Sequence, residues 1–257
     1  MRFIREPKVY LVGRQTISEE ELKRFLDDHR AEAWATDTEV GAEQLCEVAG
    51  RICYMSFGKG RKTNREYLGH ILEVGHGSVL EHATWNLVFA GVSRSFTHEL
   101  IRHRAGFGYS QLSQRYVDES ETDFVEPDCI AEDPELHALF VAACGQAQAT
   151  YVQLVNKLAE KFKGVEDRTL RRKMARQAAR AVLPNATETK IFVTANARAL
   201  RNFIELRASE HAETEIRKVA VQVLKIMQKE APNLFGDYTL RDLPDGSQEA
   251  RTEHRKV

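Results

Sequence analysis

The stretch that decides the fold class is Ala83-Thr84-Trp85-Asn86-Leu87-Val88-Phe89-Ala90-Gly91. Counting from Ala83, every second residue is apolar as far as Phe89, and the residues between them include the polar Thr84 and Asn86. A period of two is typical of a strand with one buried face. A sheet is therefore present in the fold.

Helical spacing dominates on both sides of this strand. Apolar residues recur every three or four positions from Leu136 to Phe162, as a long amphipathic helix requires. Further helices are predicted from the capping pair Ser18 and Glu21 to about His29, over 42–55 and 64–74, from Ser93 to about Arg104, and over 168–182, 197–207 and 212–231. Short strands are predicted at 9–12 and 190–195, and a loop at 105–110. This order predicts an α+β fold, a single domain with a small mixed or antiparallel sheet flanked by long helices.

The chain contains no internal repeat, low-complexity tract or linker. We predict one domain at residues 1–235 and a C-terminal tail at residues 236–257. The tail could form a small hairpin over 237–247, and from residue 247 onward it is polar enough to be loose.

The 257 residues are 42% hydrophobic, which suits a globular domain with a sizeable core. A net charge of -1, from 37 basic and 38 acidic residues, argues against a surface that coats nucleic acid. Arginine outnumbers lysine among the basic residues, and its planar fork matches phosphate or carboxylate. Because the net charge is close to zero, any site for an anion must be a small cluster of arginines and not a whole basic surface.

Location is indicated by what the sequence lacks. The four cysteines form no C-x-x-C pair, the N-terminus has no apolar run, and no apolar stretch has the length that spans a bilayer. We expect a soluble, cytoplasmic protein that binds neither membrane nor nucleic acid. Cys53 has no neighbouring histidine and is interpreted as a buried structural thiol.

The first cluster that could carry chemistry is Arg102-His103-Arg104, followed after eight residues by Ser113-Gln114-Arg115. The cations could simply complement the end of a helix. The stretch between the two motifs, however, supplies glycines that allow close backbone approach, and also hydroxyl and amide groups. The segment is therefore suited to an anionic, hydrogen-bonding small molecule.

Two further clusters lie in predicted helices. Arg168, Arg172, Arg176 and Arg180 are spaced by four; the first two fit a solvated face, and Arg180, beside an apolar run, is the better ligand candidate. The block 196–211 places Asn196, Phe203 and Arg207 near one helix face.

Metal and standard nucleotide motifs are absent from the sequence. His98 and His103 stand five residues apart, whereas a zinc-protease helix needs a spacing of four, so no metal site is predicted. The glycines around Phe107 do not form a dinucleotide-binding loop, and those around Lys59 do not form a phosphate-binding loop. Any cofactor must be held in another way.

Together these segments resemble the flavin-dependent thymidylate synthases, whose signature is Arg-His-Arg, seven or eight residues, then Ser-x-Arg. The likeness extends from about Glu43 to Phe235 through blocks at 49–54, 75–82, 97–101, 176–189 and 196–217. It implies methylation of dUMP to dTMP, with methylenetetrahydrofolate as the carbon donor, FAD as the hydride carrier and NADPH as the reductant. It also implies a homotetramer whose active sites are shared between subunits.

The resemblance also assigns residues. For dUMP it implies Glu99, Leu100, Ile101, Arg102, Gln111, Leu112, Ser113, Gln114, Arg115, Arg180 and Arg207. For FAD it implies Ser78, Arg102, His103, Arg104, Gln111, Asn196, Ala197, Arg198 and Asn202, with His76 and His211 near the flavin and folate.

Arg207 is the residue that the resemblance makes catalytic. Its guanidinium at the N3/O4 edge of uracil would stabilise the anion formed when N3 loses its proton, which raises electron density at C5. No cysteine nucleophile is needed. The alternatives are a non-catalytic nucleotide- or RNA-binding protein that uses the arginine clusters and, more remotely, a metal-dependent hydrolase that uses the histidines.

Overall fold

The computed structural model describes residues 1–31 and 34–255. The predicted α+β class is confirmed, because helices dominate and the strands form small sheets. The helices are α1 (Glu19–Asp28), α2 (Gly41–Tyr54), α3 (Asn64–Glu73), α4 (Arg94–Leu100), α5 (Asp128–Ala131), α6 (Pro134–Lys161), α7 (Arg168–Ala179), α8 (Ala197–Arg207), α9 (Thr214–Glu230) and α10 (Pro232–Phe235). The strands are β1 (Phe3–Ile4), β2 (Lys8–Arg14), β3 (Thr84–Ser93), β4 (Phe107–Gln111), β5 (Phe124–Val125), β6 (Glu188–Asn196), β7 (Thr239–Asp242) and β8 (Gln248–Arg251).

The strands form three sheets within the described residues. The largest has four strands in the order β2-β3-β6-β4. Strands β1 and β5 pair in parallel, with Phe3 opposite Phe124, and β7 and β8 form an antiparallel hairpin with Thr239 opposite Arg251. The alternation that predicts β3 is real, since Trp85, Leu87 and Phe89 are almost completely buried.

The described chain divides into two compact units. The first unit comprises Met1–Lys8, Phe89–Arg102 and Ser110–Phe192. Its core contains Phe96, Phe124 and Tyr151, and α6 packs against α7. The side chains of Ser93, Asp133 and Asp167 accept hydrogen bonds from first-turn amides of α4, α6 and α7 respectively. These caps explain where the three helices begin.

The second unit comprises Val9–Val88, His103–Tyr109 and Val193–Val257. Its core surrounds α8 and α9, with Phe203 and Leu224 fully buried and the ring of Trp85 against that of Phe235. Asn196 caps α8 through a bond of 2.9 Å from the amide of Ala199 to its Oδ1. The predicted boundaries of α8 are confirmed.

Four local predictions are wrong. The helix that begins after Ser93 ends at Leu100 and not near Arg104, and residues 107–111 form β4 where a loop is predicted, because β4 pairs with β6. Ser18 precedes α1 but makes no side-chain capping bond. The stretch from residue 247 onward is not loose, since residues 248–251 pair with β7. The division of the chain at residue 235 stays a prediction.

Among the described residues, one helix is long and apolar enough to cross a membrane, and this differs from the prediction that no such stretch exists. The helix is α6, and only 11% of its apolar 18-residue segment is buried. Length and composition alone are weak support for a membrane span, because a core helix or a signal sequence meets the same criterion. Two large apolar side chains of α6, Leu136 and Leu139, are exposed.

Candidate active site

In the first unit, the Ser-x-Arg motif lies in the turn that follows Gln111, the last residue of strand β4. Nε2 of Gln111 donates to Oγ1 of Thr97 at 3.2 Å and of Thr189 at 3.4 Å. The amide of Leu112 bonds the carbonyl of Lys190 at 2.9 Å, which fixes the end of β4 beside β6. The motif therefore leaves the sheet at a defined point.

The turn at Ser113 also contains two buried donor atoms that have no partner among the described residues. The carbonyl of Ser113 accepts from the amides of Tyr116 and Val117, which closes the turn. Gln114 is only 5% exposed, yet its Nε2 has no partner among the described residues, and the same holds for the buried Nε of Arg115. Buried donors without acceptors are costly, and a ligand oxygen at this turn would satisfy these two atoms.

Two arginines stand near each other in the same unit, Arg180 at the end of α7 and Arg94 at the start of α4. Burial and the positive charge of Arg180 lower the pKa of Arg94, and Glu119 acts in the opposite direction. Arg180 is a predicted ligand, whereas Arg94 is a residue that sequence reasoning missed. Its position directly after a buried strand, beside the apolar run of β3, was the available signal.

The arginines of α7 differ in their surroundings. Arg168 and Arg172 are exposed, which fits a solvated face. Arg176 pairs with Asp118 at 2.6 Å and also donates to the carbonyl of Tyr116 at 2.6 Å. That ion pair relieves the repulsion that a row of like charges creates.

The end of α4 places the remaining first-unit residues. Leu100 is fully buried, so its side chain belongs to the core and only its backbone can face a ligand. Glu99 is half-buried, whereas Ile101 and Arg102 are exposed. The amide of Arg102 bonds the carbonyl of Glu99 at 3.2 Å, so the helix ends in a turn just before the Arg-His-Arg motif is complete.

In the second unit, His103 of the Arg-His-Arg motif contacts the end of α8. Nε of Arg207 donates to Nε2 of His103 at 3.0 Å. His103 is 8% exposed, and burial together with the charge of Arg207 lowers its pKa to about 4, against a hydrogen bond with Asn202 that raises it. The imidazole is therefore neutral at pH 7, as an acceptor at Nε2 requires.

Aromatic packing and one glycine hold His103 in place. The imidazole packs against the rings of Phe107 and Phe203 at centroid distances of 5.9 and 5.2 Å. Gly106 has a φ of 73°, and a Cβ there would lie 2.8 Å from the side chains of Asn196 and Ala199. Only glycine fits here, and it lets the backbone at residue 106 lie directly against the start of α8.

Gly106 borders a cleft of about 410 Å³ in the second unit. Three of the residues predicted for FAD line it, namely Asn196, Arg198 and Asn202, and Arg198 forms an exposed ion pair of 2.6 Å with Glu81. Amide and guanidinium donors beside a glycine backbone suit a ligand with phosphates and a heteroaromatic ring. The side chain of Ala197 is buried, so its fit to FAD can only be through the backbone.

The other predicted second-unit residues are more scattered. His76, Ser78 and Arg104 are exposed side chains. His211 lines a different cleft of about 300 Å³, together with Arg251 and Arg255. A further cleft of about 550 Å³, lined partly by Leu26 and Trp34, contains none of the predicted residues.

Cysteine and metal chemistry receive no support. Within residues 1–31 and 34–255 no group of three or more His, Cys, Asp or Glu could hold a metal ion. Cys46 is buried, and burial raises the pKa of its thiol to about 12, far from an activated nucleophile. The prediction that Cys53 is buried is wrong: its side chain is exposed, with Sγ 3.4 Å from the carbonyl of Ala49.

Comparison with known proteins connects these features to a family. Residues 36–233 match the family described as thymidylate synthase complementing protein. The flavin-dependent thymidylate synthase of Mycolicibacterium gilvum is 53% identical over 84% of this chain and 87% of its own length. Proteins of the same name from Corynebacterium efficiens and a Mycobacterium species (strain JLS) are 51% and 54% identical, over 86% and 85% of this chain and 89% and 88% of their own lengths.

The fold, the clustered arginines and these matches define an enzyme that acts on small molecules with the help of a flavin. The chain belongs to the flavin-dependent thymidylate synthase family. The resemblance drawn from the Arg-His-Arg and Ser-x-Arg motifs is thereby confirmed. Membership in an enzyme family also excludes the alternative of a non-catalytic nucleotide- or RNA-binding protein.

Proposed function

We propose that the protein converts dUMP to dTMP, with methylenetetrahydrofolate as the one-carbon donor, FADH2 as the hydride carrier and NADPH as the reductant. The observation that carries the proposal is the hydrogen bond between Arg207 and a neutral His103, which joins the two sequence blocks assigned to chemistry. Family membership supports the reaction class.

The nucleotide is held in part by the first unit. Arg102, Arg115 and Arg180, with Arg94 added from the structure, offer guanidinium forks for the phosphate. The unpartnered Nε2 of Gln114 and Nε of Arg115 are donors that a nucleotide oxygen would satisfy. Glu99, Leu100, Ile101, Gln111, Leu112 and Ser113 complete the proposed dUMP set.

Arg207 then activates the pyrimidine. A guanidinium at the N3/O4 edge stabilises the anion formed when N3 loses its proton, and the negative charge is shared with C5, the carbon that accepts the one-carbon unit. The bond to His103 occupies Nε of Arg207 and so restricts the orientation of the guanidinium plane. Because His103 is neutral, it adds no competing positive charge at the site.

FAD fits the residues of the second-unit cleft, with the arginines and amides as donors to its phosphates and ring. The contacts would come from Ser78, His103, Arg104, Asn196, Ala197, Arg198 and Asn202, and from Arg102 and Gln111. When bound, FAD supplies the hydride that completes the methyl group. His76 and His211 are proposed near the flavin and the folate.

We further propose a cytoplasmic homotetramer with shared active sites. The support is the apolar exposure of α6, where Leu136 and Leu139 are 45% and 63% exposed. Large apolar side chains left in contact with water are typical of a face that another subunit covers. The four cysteines are free thiols, which is consistent with a reducing compartment.

The test is an assay of the purified protein with dUMP, methylenetetrahydrofolate, NADPH and added FAD, with dTMP measured by chromatography. We expect dTMP formation that requires all four components and a protein with visible flavin absorbance. A protein that binds flavin but forms no dTMP under these conditions would overturn the proposed reaction. Sedimentation of the same sample tests the tetramer separately.

A further inference from the structure

The residues after position 235 form a structure that the matched family region, 36–233, does not include. Strands β7 and β8 pair in register from Thr239 opposite Arg251 to Asp242 opposite Gln248. We call residues 236–255 the C-terminal hairpin. It belongs to the second unit, as do α8 and Arg207.

The first anchor of the C-terminal hairpin is Arg201, in the middle of α8. Its side chain is only 2% exposed, and its two terminal nitrogens donate to both carboxylate oxygens of Asp237 at 2.7 and 2.8 Å. One of them also donates to the carbonyl of His254 at 3.2 Å, and the guanidinium lies 4.8 Å from the ring centroid of Tyr238. Both ends of the C-terminal hairpin are thus tied to one buried residue of α8.

The second anchor lies directly after Arg207. The amide of Ala250 in β8 donates to the carbonyl of Ala208 at 2.7 Å. Glu249, 4% exposed, accepts from the amide of Glu210 at 3.4 Å and is itself paired with Arg241 at 2.8 Å. Strand β8 therefore bonds the chain both one and three residues beyond Arg207.

The last turn of a helix needs such partners. Its final carbonyls have no acceptor role within the helix, and unsupported ends fray. At the end of α8 no glycine follows the last residue, since residues 208 and 209 are alanine and serine. The Ala250 amide supplies the missing partner of the Ala208 carbonyl.

We propose that the C-terminal hairpin is a positioning element for Arg207, which it holds by bonding the carbonyl of Ala208 through Ala250. The proposal rests on the catalytic role given to Arg207 under the proposed function. The hydrogen bond from Arg207 to His103 orients the guanidinium from one side, and the C-terminal hairpin fixes the backbone from the other. A small displacement of a catalytic group lowers the reaction rate strongly, even when substrate binding is little changed.

The test uses proline, which removes one backbone donor. In an antiparallel pair the amides along a strand alternate between facing the partner strand and facing away. The amide of Ala250 faces away from β7, because it bonds Ala208, so Ala250→Pro deletes that bond without removing a β7–β8 bond. Gln248 lies two residues earlier in β8, so its amide also faces away from β7. Gln248→Pro is therefore the matched control.

Gln248→Pro should disturb the C-terminal hairpin more than Ala250→Pro, because it also deletes the side-chain hydrogen bonds of Gln248 with Lys225 and Asp242. We expect Ala250→Pro to lower kcat by about tenfold, and Gln248→Pro to leave it within about twofold of the parent. The dissociation constant of dUMP should change by less than about threefold in both variants, since the phosphate is held elsewhere.

A pH profile separates positioning from loss of structure. A guanidinium at N3/O4 favours ionisation of N3, so its displacement should move the rise of kcat with pH to higher pH in Ala250→Pro but not in Gln248→Pro. If Ala250→Pro does not fold, Glu249→Gln, which weakens the second link to Glu210, should give the same shift. An unaltered kcat and pH profile in a folded variant would overturn the positioning role.

Failure of the positioning role can be told apart from failure of the proposed reaction. If the parent protein forms no dTMP, the proposed function fails before the variants are compared. If the parent is active and the two proline variants behave alike, only the role of the C-terminal hairpin fails. Flavin absorbance and melting temperature, measured on all variants, confirm that each is folded and loaded.

Discussion

Nε of Arg207 donates a hydrogen bond of 3.0 Å to Nε2 of His103, across 104 residues of sequence. A charged donor and a neutral acceptor make this bond stronger than one between two neutral groups. It survives only while His103 is unprotonated, and burial together with the charge of Arg207 ensures this by lowering the pKa of the imidazole to about 4. The two motifs therefore act as one unit of the site.

Removal of the catalytic guanidinium should abolish the reaction but not cofactor binding. We expect Arg207→Ala to lose dTMP formation by at least about 100-fold, because the N3 anion loses its stabilising charge. Flavin absorbance of the purified variant should match that of the parent. Turnover near the parental rate, with full flavin occupancy, would contradict the assigned role.

The phosphate site can be tested by substituting two arginines separately, Arg180 directly after α7 and Arg172 within it. Arg180→Ala should weaken dUMP binding about tenfold or more, since a guanidinium fork to phosphate is lost. Arg172→Ala, an exposed arginine inside α7, is the control and should bind dUMP as the parent does. Titration calorimetry measures both constants. Equal losses in the two variants would mean that only overall charge matters.

The close approach at Gly106 makes a steric prediction. Gly106→Ala combines a φ of 73° with a Cβ only 2.8 Å from Asn196 and Ala199, so it should lower both stability and flavin occupancy. Gly60→Ala has a similar φ of 77° and nothing within 4 Å, so it isolates the backbone strain, about 1–2 kcal/mol. Thermal melts and flavin absorbance compare the two. Flavin loss of the same size in Gly60→Ala would exclude a local effect.

His103 makes stability depend on pH. Its pKa is about 4 in the folded protein and near 6.5 when unfolded, so the unfolded state gains the proton first as the pH falls. The stability present above pH 6.5 should decline between pH 6.5 and about 4, by up to roughly 3 kcal/mol. His103→Gln keeps a hydrogen-bonding side chain without a titrating group and should have a flatter profile in denaturant unfolding over this range.

Carboxylates provide the background for that measurement. Burial raises the pKa values of Asp118 and Asp237, but hydrogen bonds from Ser120 to Asp118 and from Arg201 to Asp237 outweigh it and hold both below their usual range. The stability that these carboxylates contribute is therefore lost at lower pH than that of His103. The difference between parent and His103→Gln isolates the histidine. Parallel profiles for the two proteins between pH 6.5 and 4 would show that His103 does not stay neutral in the fold.

The sequence predicts what is local. The alternation in β3, the helical spacing of α6 and the residues that begin and end α8 follow from periods and caps, because those depend on neighbours in the chain. It also predicts which residues form the motifs. It misses Arg94, whose significance depends on Arg180, and it misjudges Cys53, because burial is a property of packing.

By itself, the sequence determined the α+β class and the family, since periodicity and spaced motifs are written along the chain. Only the tertiary structure decided that residues 107–111 are a strand, that His103 accepts from Arg207, and that the C-terminal hairpin bonds the end of α8. Each of these is a contact between residues far apart in sequence. Such contacts form because folding brings unpaired donors and acceptors into water-poor surroundings, where each must find a partner.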